Sequence, residues 1–558
     1  MKPIYFLALS LLFAWPSYQA NATEYTLDIN REPVTITGKP IEKITVNGNI
    51  PGPVLRFKEG DEAVITVNNL LGTTTSVHWH GLLLPGAMDG VDGLNGFTDI
   101  KPHSSFTYRF PLRQSGTYWY HSHTNGQEQD GLYGPIIVEP KKEVIKADRE
   151  YVVMLSDFSR EESGDILGNL KKASDYYNRA RRTVGDFIDD VNRDGFGPAW
   201  ENAKMWGQMR MSPTDLADVS GYTFLINGNS PEQNWTGLFK VGERVRLRFI
   251  NASAMSFYDV RIPGLKMEVV QSDGRNVEPV RVDEFRFAVA ETYDVVVTPT
   301  EDKAYTIVAE PIDRSGFALG TLATQEGMKG EMPAQRPRAL LTMADMGMAH
   351  GDMAGMHHSM MGHDMAGMEG MDMGGMEGMS MGESGWAKAG TPAGMKALSY
   401  ADLRSLAPQK DTRDPTRTIT VRLGGNMERY IWTLNGKTTD EAKPIKLKYG
   451  ERVRLKFINE TMMAHPMHLH GMFVQLENGQ PAAKMPDKHV VIVPPGQSYS
   501  VLLTADEPGE WSFHCHLLYH MASGMMTKVV VAQLDAKDKP EPQPKQETKS
   551  EGVQHHAQ

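Results

Sequence analysis

Three stretches of the chain repeat one alternation of apolar and polar positions. Each begins with an Asn-Gly turn signal, passes through a glycine followed by an acidic residue, and ends in a strand of alternating polarity, at residues 46–69, 226–251 and 434–459. A repeat of this kind predicts an all-β chain built from three Greek-key units.

The three copies can be aligned on their glycines, Gly60, Gly242 and Gly450. They differ in the residue types found eighteen and twenty positions after those glycines. The first and third copies have histidine at both positions and the second has aliphatic residues, as His78 and His80, His468 and His470, Val260 and Ile262. We therefore expect two outer units that bind metal and a middle unit that acts as a spacer.

A segment of helical periodicity interrupts the second unit at residues 160–211. Its apolar positions are Ile166, Leu167, Leu170, Tyr177, Val184, Ile188 and Val191. Asp190, Asn192, Asp194, Gly195 and Glu201 also fit a calcium-loop pattern, although we favour a helix-ending turn there. We expect the methionines Met205, Met209 and Met211 to pack in the core, with a copper contact as the alternative.

These patterns divide the chain into six parts. They are a signal peptide at 1–22, unit 1 at 23–145, unit 2 at 146–320 with its helical insert, a Met-rich linker at 321–398, unit 3 at 399–534, and a disordered tail at 535–558.

Composition narrows the class of protein. The formal net charge of −11 argues against nucleic acid as a partner. Residues 1–22 have the charged start, apolar core and small-residue cleavage site of a secretory signal without twin arginine, and no later segment is apolar enough to span a membrane. The chain has a single cysteine, Cys515, so it forms no internal disulfide. A lone cysteine in an oxidising compartment favours a metal ligand.

The segment around that cysteine has the chemistry of a copper site. His514 and His516 flank Cys515, His520 follows five residues later and Met525 ten residues later. Thiolate, imidazole and thioether suit copper, and a trigonal His₂Cys site with a long axial methionine transfers electrons. Structural zinc is the alternative, but it usually uses paired cysteines. On a strand, the two flanking histidines face away from Cys515, so one strand can serve two metal centres.

Four motifs of the form His-x-His lie in the two outer units. On a strand, this spacing puts both imidazoles on one face, where they can serve two adjacent metals. The eight residues suit a cluster of three coppers, and His465 is left over as the missing ligand for the cysteine site. The eight are His78, His80, His121, His123, His468, His470, His514 and His516.

With these motifs, nearly the whole chain after the signal peptide resembles the multicopper oxidase family. The resemblance implies three cupredoxin-like domains and four coppers. It implies a type 1 copper at His465, Cys515, His520 and Met525, a type 2 copper at His78 and His468, and a type 3 pair at His80, His121, His123, His470, His514 and His516.

The resemblance also implies a route for electrons and protons. Electrons would pass from the type 1 copper through Cys515 to the three-copper cluster, where dioxygen becomes water. Asp89 matches an acidic residue that the family uses in proton transfer. Cuprous-oxidase members have a glutamate directly after the last type 1 histidine, where this chain has Met521, so the second proton route differs.

Residues 343–381 are of low complexity, with fourteen methionines and with His350, His357, His358 and His363. Met-Gly runs bury little apolar surface and are predicted to be disordered. A flexible linker is one interpretation. Soft thioethers select Cu(I), so we favour capture of labile cuprous ions there.

The insert and the Met-rich segment make the chain most similar to periplasmic copper-resistance oxidases within the family. This implies a periplasmic monomer that oxidises Cu(I) to Cu(II) with dioxygen, with periplasmic copper-transfer proteins as candidate partners. A laccase-like phenol oxidase and a copper-sequestering protein are the alternatives. The complete ligand set argues against sequestration alone, and the Met-rich segment argues against phenols as the main substrate.

Overall fold

The computed structural model describes residues 22–208, 212–338, 340–342 and 391–532. The predicted all-β class is confirmed, because the described chain forms three units that each contain two β-sheets. The signal peptide apart from Ala22, the Met-rich segment at 343–381 and the tail at 535–558 lie outside the described residues.

Unit 1 pairs its strands in two four-stranded sheets, in the orders β2-β1-β4-β6 and β3-β8-β7-β5. Its strands are β1 (Ala22–Val34), β2 (Ile41–Val46), β3 (Leu55–Lys58), β4 (Glu62–Asn69), β5 (His78–His80), β6 (Ser104–Pro111), β7 (Gly116–His121) and β8 (Tyr133–Glu139), with a 3₁₀ turn at Gly86–Met88.

Unit 2 has two six-stranded sheets, in the orders β10-β9-β12-β17-β14-β15 and β11-β19-β18-β13-β16-β20. Its strands are β9 (Arg149–Phe158), β10 (Thr223–Ile226), β11 (Trp235–Leu238), β12 (Val245–Asn251), β13 (Tyr258–Arg261), β14 (Met267–Ser272), β15 (Arg275–Val282), β16 (Glu284–Phe287), β17 (Thr292–Val297), β18 (Tyr305–Pro311), β19 (Ala318–Ala323) and β20 (Ala397–Leu398).

Unit 3 has a six-stranded and a five-stranded sheet, in the orders β22-β21-β24-β29-β26-β27 and β23-β31-β30-β25-β28. Its strands are β21 (Thr418–Asn426), β22 (Ile431–Leu434), β23 (Ile445–Lys448), β24 (Arg452–Asn459), β25 (His465–Leu469), β26 (Val474–Leu476), β27 (Asp487–Lys488), β28 (Val490–Val493), β29 (Ser498–Thr504), β30 (Gly509–Cys515) and β31 (Met526–Ala532), with 3₁₀ turns at Tyr400–Asp402 and Ala482–Lys484.

The Asn-Gly signals form the turns that the sequence predicts. In each copy both residues have positive φ, as in Asn47 at 52° and Gly48 at 77°, which is the backbone of a type I′ turn. The same parallel pairing recurs in every unit, as β1 with β4, β9 with β12 and β21 with β24. The three copies therefore share one local structure and one topology.

The helical segment forms α1 (Ser163–Lys172), α2 (Val184–Asp194) and α3 (Phe196–Gln208), and α4 (Leu518–Ala522) lies in unit 3. Ile166 and Leu170 are fully buried, but Val184 is 76% and Ile188 53% exposed, so the apolar face of α2 is not part of the core. Met205 is half-buried, and Met209 and Met211 lie outside the described residues.

The calcium-loop pattern falls on helices. Asp190 and Asp194 lie in α2, where Arg193 contacts their carboxylates at 2.8 and 2.7 Å. Gly195 ends the helix with φ of +88°, and its N–H donates to the Val191 carbonyl. Because arginines already occupy these carboxylates, the helix-ending turn is the interpretation that the geometry supports.

In unit 2, a buried ionic cluster occupies the place of the metal motifs. Val260 pairs with Ala309 as His468 pairs with His514, so Glu310 stands where unit 3 has Cys515. Glu310 and its neighbour Asp259 are fully buried and contact arginines. These arginines are Arg286 and Arg314 at Asp259, and Arg261 and Arg336 at Glu310.

The carboxylate of Glu284, which contacts Arg336 of this cluster, binds the chain both before and after residues 343–390. Glu284 accepts from Arg336 on the N-terminal side and, at 2.7 Å, from the Thr391 hydroxyl on the C-terminal side. Strand β20 then pairs in parallel with β16. Both flanks are therefore fixed to unit 2.

Among the residues described, none of the helices combines the length and the apolar character needed to cross a membrane.

We predict that Asp259→Asn destabilises the protein by about 3–5 kcal/mol, because it removes one partner from a buried ion cluster. Although burial opposes ionisation, Arg286 and Arg314 hold the pKa of Asp259 below its usual range. Chemical unfolding measures the effect. The control is Glu301→Gln, at a glutamate whose side chain is 64% exposed beside Lys303, which should change stability by less than about 1 kcal/mol. Equal effects of the two substitutions would contradict this account of the cluster.

Candidate metal centre

Eight histidines from units 1 and 3 meet at the interface between them. The His78 and His470 rings stack with centroids 3.8 Å apart, and the His80 and His468 rings stack at 3.9 Å. All eight predicted cluster histidines are within this group, and seven are buried, with His123 half-buried.

Strand pairing explains why the rings converge. In unit 1, β5 pairs with β7 so that His78 lies opposite His121. In unit 3, β25 pairs with β30 so that His468 lies opposite His514. Side chains two residues apart share a face, so each pair of motifs presents its imidazoles together.

In six of the eight rings, one nitrogen is held by a hydrogen-bond partner, and the other faces the neighbouring rings or has no partner among the described residues. The Nδ1 atoms of His78, His121, His468 and His514 lie 2.8–3.0 Å from backbone carbonyls. Among these eight rings, the buried nitrogens without a hydrogen-bond partner in the described part of the chain are His78 Nε2, His80 Nδ1, His121 Nε2, His123 Nε2, His468 Nε2 and His516 Nε2.

The two remaining nitrogens, Nε2 of His470 and Nε2 of His514, face each other at 3.1 Å. Buried nitrogens are costly without a partner, and a neutral imidazole binds metal through its free nitrogen. The donor set therefore fits a multinuclear metal cluster.

Burial favours the neutral form of most of these rings. Loss of solvation, followed by repulsion from neighbouring histidines, lowers the pKa of most of them, as for His468, and burial lowers the pKa of His514 to about 3. A metal needs the unprotonated ring, so the same burial prepares the site for binding.

Asp89 joins the two halves of the cluster. Its Oδ2 accepts from His470 Nδ1 at 2.8 Å, and its Oδ1 lies 3.3 Å from His78 Nδ1. Gly90 allows this approach, because a Cβ at its φ of +77° would lie 1.9 Å from the Val77 carbonyl oxygen.

Glu128 is a second buried carboxyl at the cluster, and our sequence analysis did not find it. Its Oε2 lies 2.8 Å from His121 Nδ1, and burial raises its pKa. The only signal was its position five residues after His123.

A separate group surrounds Cys515 on the other face of β30. The sulfur lies 3.5 Å from His465 Nδ1 and 3.7 Å from His520 Nδ1, and these nitrogens are 3.1 Å apart. Burial raises the pKa of the Cys515 thiol, so a thiolate there requires a bound cation. The geometry fits one metal with two nitrogen ligands and one sulfur ligand.

Two other predicted residues lie close to this group. Met525 is fully buried, and its carbonyl accepts from the Cys515 N–H at 3.1 Å. Met521 is half-buried on α4, directly after His520.

The outer nitrogens of the two histidines are held by residues that sequence reasoning missed. Asp218 accepts from His520 Nε2 at 2.7 Å and from the Tyr430 hydroxyl at 2.6 Å. Thr461 lies 2.7 Å from His465 Nε2. Trp432 stacks on His520 with ring centroids 3.8 Å apart.

A cavity of about 1100 Å³ lies directly over this group, between the helical insert and unit 3. Asp218, Thr461 and Trp432 form part of its wall, so a molecule inside it would be one residue away from His520 and His465. The wall combines thioethers, carboxylates and aromatic rings, among them Met427, Met462, Met463, Asp215, Glu428, Glu460, Phe187, Trp200 and Trp206.

Sequence profiles of multicopper oxidases match the chain at residues 28–143, 200–327 and 412–535. The chain is 49% identical to a copper resistance protein A homolog of Pseudomonas syringae pv. tomato, over 92% of this chain and 93% of that protein. It is 48% identical to copper resistance protein A of Escherichia coli, with the same coverage.

Solved structures with the same fold include Fet3p, a multicopper oxidase that functions in iron import. That structure superposes with a TM-score of 0.66 at 20% identity, over 92% of this chain and 90% of the other.

We expect His78→Ala and His468→Ala each to lower the copper bound per chain and to stop oxygen reduction, while the colour of the Cys515 site remains. The reason is that each ring supplies a buried unpaired nitrogen to the cluster but none to the Cys515 group. Metal analysis and visible absorption measure this. His103→Asn, at an exposed histidine, is the control. Full copper content and normal turnover in both alanine variants would refute the assignment.

Proposed function

Because this chain belongs to the multicopper oxidase family and, within it, to the copper resistance protein A type, we propose that it oxidises Cu(I) in the periplasm. The reaction is 4 Cu(I) + O₂ + 4 H⁺ → 4 Cu(II) + 2 H₂O. The chain is a copper-dependent oxidoreductase that acts in copper resistance, and the choice of Cu(I) as substrate is our inference.

We assign four resident coppers to the two groups of ligands. His465, Cys515, His520 and Met525 would hold the type 1 copper. His78 and His468 would hold the type 2 copper, and the type 3 pair would be held by His80, His121, His123, His470, His514 and His516. The unpartnered nitrogens of the cluster and the close Cys515 group support this assignment.

Copper at these positions would supply one-electron redox chemistry and the reduction of dioxygen. The protein supplies the connection, because Cys515 is covalently linked through the backbone to His514 and His516, which face the cluster. Asp89 can hold a proton at Oδ1, which is buried beside His78 and has no hydrogen-bond partner among the described residues.

The side chains that line the cavity over His520 support Cu(I) as the substrate. Methionine sulfur is a soft ligand that prefers Cu(I) over harder cations. Met427, Met462 and Met463 lie in its wall together with five acidic side chains, which outnumber the two arginines of the wall and attract cations. The Asp218 carboxylate, hydrogen-bonded to His520, joins this wall to the type 1 ligands.

Two alternatives remain open to test. The aromatic rings of Phe187, Trp200 and Trp206 could receive a phenol, which favours a laccase-like activity. A sequestering role would need bound copper without turnover.

Oxygen uptake by the copper-loaded protein tests the proposal. We expect faster uptake with Cu(I) than with phenols at equal concentration, because the cavity wall offers soft ligands and negative charge. Cys515→Ser, the matched control, should abolish both the blue colour and the uptake and leave the fold intact. Oxidation of phenols but not of Cu(I) would favour a laccase-like activity. Copper tolerance that persists in cells carrying Cys515→Ser would favour a sequestering role.

We further propose that residues 343–381, which lie outside the described structure, capture labile Cu(I). Next to them in the chain, Leu341 donates its N–H at 2.9 Å to the carbonyl of Pro213, which lines the cavity. A tether beside a site raises the local concentration of whatever it binds.

Deletion of 343–381 should raise the apparent KM for Cu(I) and leave the blue colour and the four resident coppers unchanged. The reason is that the proposed copper ligands all lie elsewhere in the chain. Phenol oxidation should hold steady or rise. Unchanged Cu(I) oxidation at low copper concentration would show that the segment is only a linker.

We place the protein in the periplasm as an exported monomer that receives copper from periplasmic transfer proteins. The apolar N-terminal segment and the relatives in copper resistance support this placement.

A further inference from the structure

His489 is a buried histidine next to the cluster that belongs to none of the four motifs. It lies between β27 and β28 and is 2% exposed. Its Nδ1 lies 3.2 Å from Nε2 of His80, and its backbone carbonyl accepts from Nδ1 of His468 at 2.8 Å. One residue thus contacts a candidate ligand of unit 1 through its side chain and one of unit 3 through its backbone.

The contact with His80 fits one position of the proton on the His80 ring. His80 has a free Nδ1, buried and without a partner among the described residues, and this is the atom that can bind metal. A neutral imidazole has one N–H and one lone pair, so its Nε2 must carry the hydrogen. His489 Nδ1 is then the acceptor of that N–H, and the hydrogen of His489 lies on its Nε2, which has no partner among the described residues. Without an acceptor there, the proton of His80 could occupy either nitrogen.

Unit 2 holds His489 in place. Asp273 accepts from the backbone N–H groups of His489 and Val490 at 3.0 and 3.1 Å. Its carboxylate is also 3.1 Å from the buried ammonium of Lys488, which lies 2.9 Å from Glu291. The unit without metal motifs therefore fixes a residue that touches both halves of the cluster.

Unit 1 leaves little room for His489 to move. Gly81 has φ of +82°, and a Cβ there would lie 2.6 Å from His489 Nε2. The imidazole therefore packs directly against the backbone that follows His80.

We propose that His489 is a positioning residue for the copper cluster. Held in place by Asp273, it directs His80 Nδ1 and His468 Nε2 at the metal. The inference rests on the proposed copper ligands, because it concerns how two of them are oriented. Outer partners of this kind typically change metal affinity by about 10–100-fold when removed.

A matched pair of substitutions tests the hydrogen bond by itself. His489→Asn places an amide oxygen at the position of Nδ1 and keeps an acceptor for His80. His489→Leu introduces a side chain of nearly the same shape as asparagine, but one that offers no acceptor. Both keep the backbone carbonyl that serves His468 and the N–H that Asp273 binds, so the difference between them reports on the side-chain contact.

The measurements are copper retained in competition with a chelator, and the electron paramagnetic resonance spectrum of the fully loaded protein. We expect His489→Leu to hold the cluster copper about 10–100-fold more weakly, with an altered cluster spectrum and an unchanged type 1 signal. His489→Asn should recover most of the affinity. Thermal unfolding of the copper-free forms checks that both variants are folded.

Two results would overturn the inference. One is a His489→Leu protein with the copper affinity and spectrum of the parent. The other is an equal loss in the Asn and Leu variants, which would mean that shape and not the acceptor matters. His80→Ala separates this from the ligand assignment. If that variant also retains all copper, the proposed ligands are wrong, and if it loses copper while His489→Leu does not, only the role of His489 is wrong.

Discussion

The burial of many imidazoles in one place is the constraint on which the rest of this structure depends. Each ring must stay neutral, keep one nitrogen bare and point it inward, although bare buried nitrogens are costly without a partner. Only a rigid frame can maintain such an arrangement before metal binds. The paired strands of units 1 and 3 provide the frame, and carbonyls, together with Asp89 and Glu128, hold the outward nitrogens. The same logic applies to the Cys515 thiol, whose charged form needs a cation.

The middle unit contains no His-x-His motif, yet it contacts residues at both candidate metal groups. Its strands follow the same pattern, but Glu310 replaces the cysteine and arginines neutralise the buried charge. The unit contributes side chains that hold residues of unit 3. Asp273 supports a loop of unit 3, and Asp218 reaches across to His520. The spacer role expected from Val260 and Ile262 is therefore incomplete, because this unit also orients residues at both metal groups.

Much of the fold, and the grouping of the predicted ligand residues, followed from sequence because their signals are local. An Asn-Gly pair needs positive φ, and a His-x-His pair on a strand must share a face. Asp218, Glu128 and His489 could not be found in this way. Asp218 is 302 residues from the histidine it contacts, and His489 is 409 residues from His80. No spacing rule links them, and an acid or a histidine in isolation has many ordinary uses. The exposure of Val184 and Ile188 was also unpredictable, since periodicity gives a helix face but not what covers it.

The double attachment at Glu284 has a consequence for how such proteins change over time. The Arg336 and Thr391 side chains contact the same carboxylate, so the segment between them begins and ends at one fixed point on unit 2. Each doubling of loop length adds only about 0.6 kcal/mol to the free energy of closing the loop, so residues can be gained or lost between these two points at little cost to the stability of the fold. A change in the number of methionines there would require no matching change in the three domains.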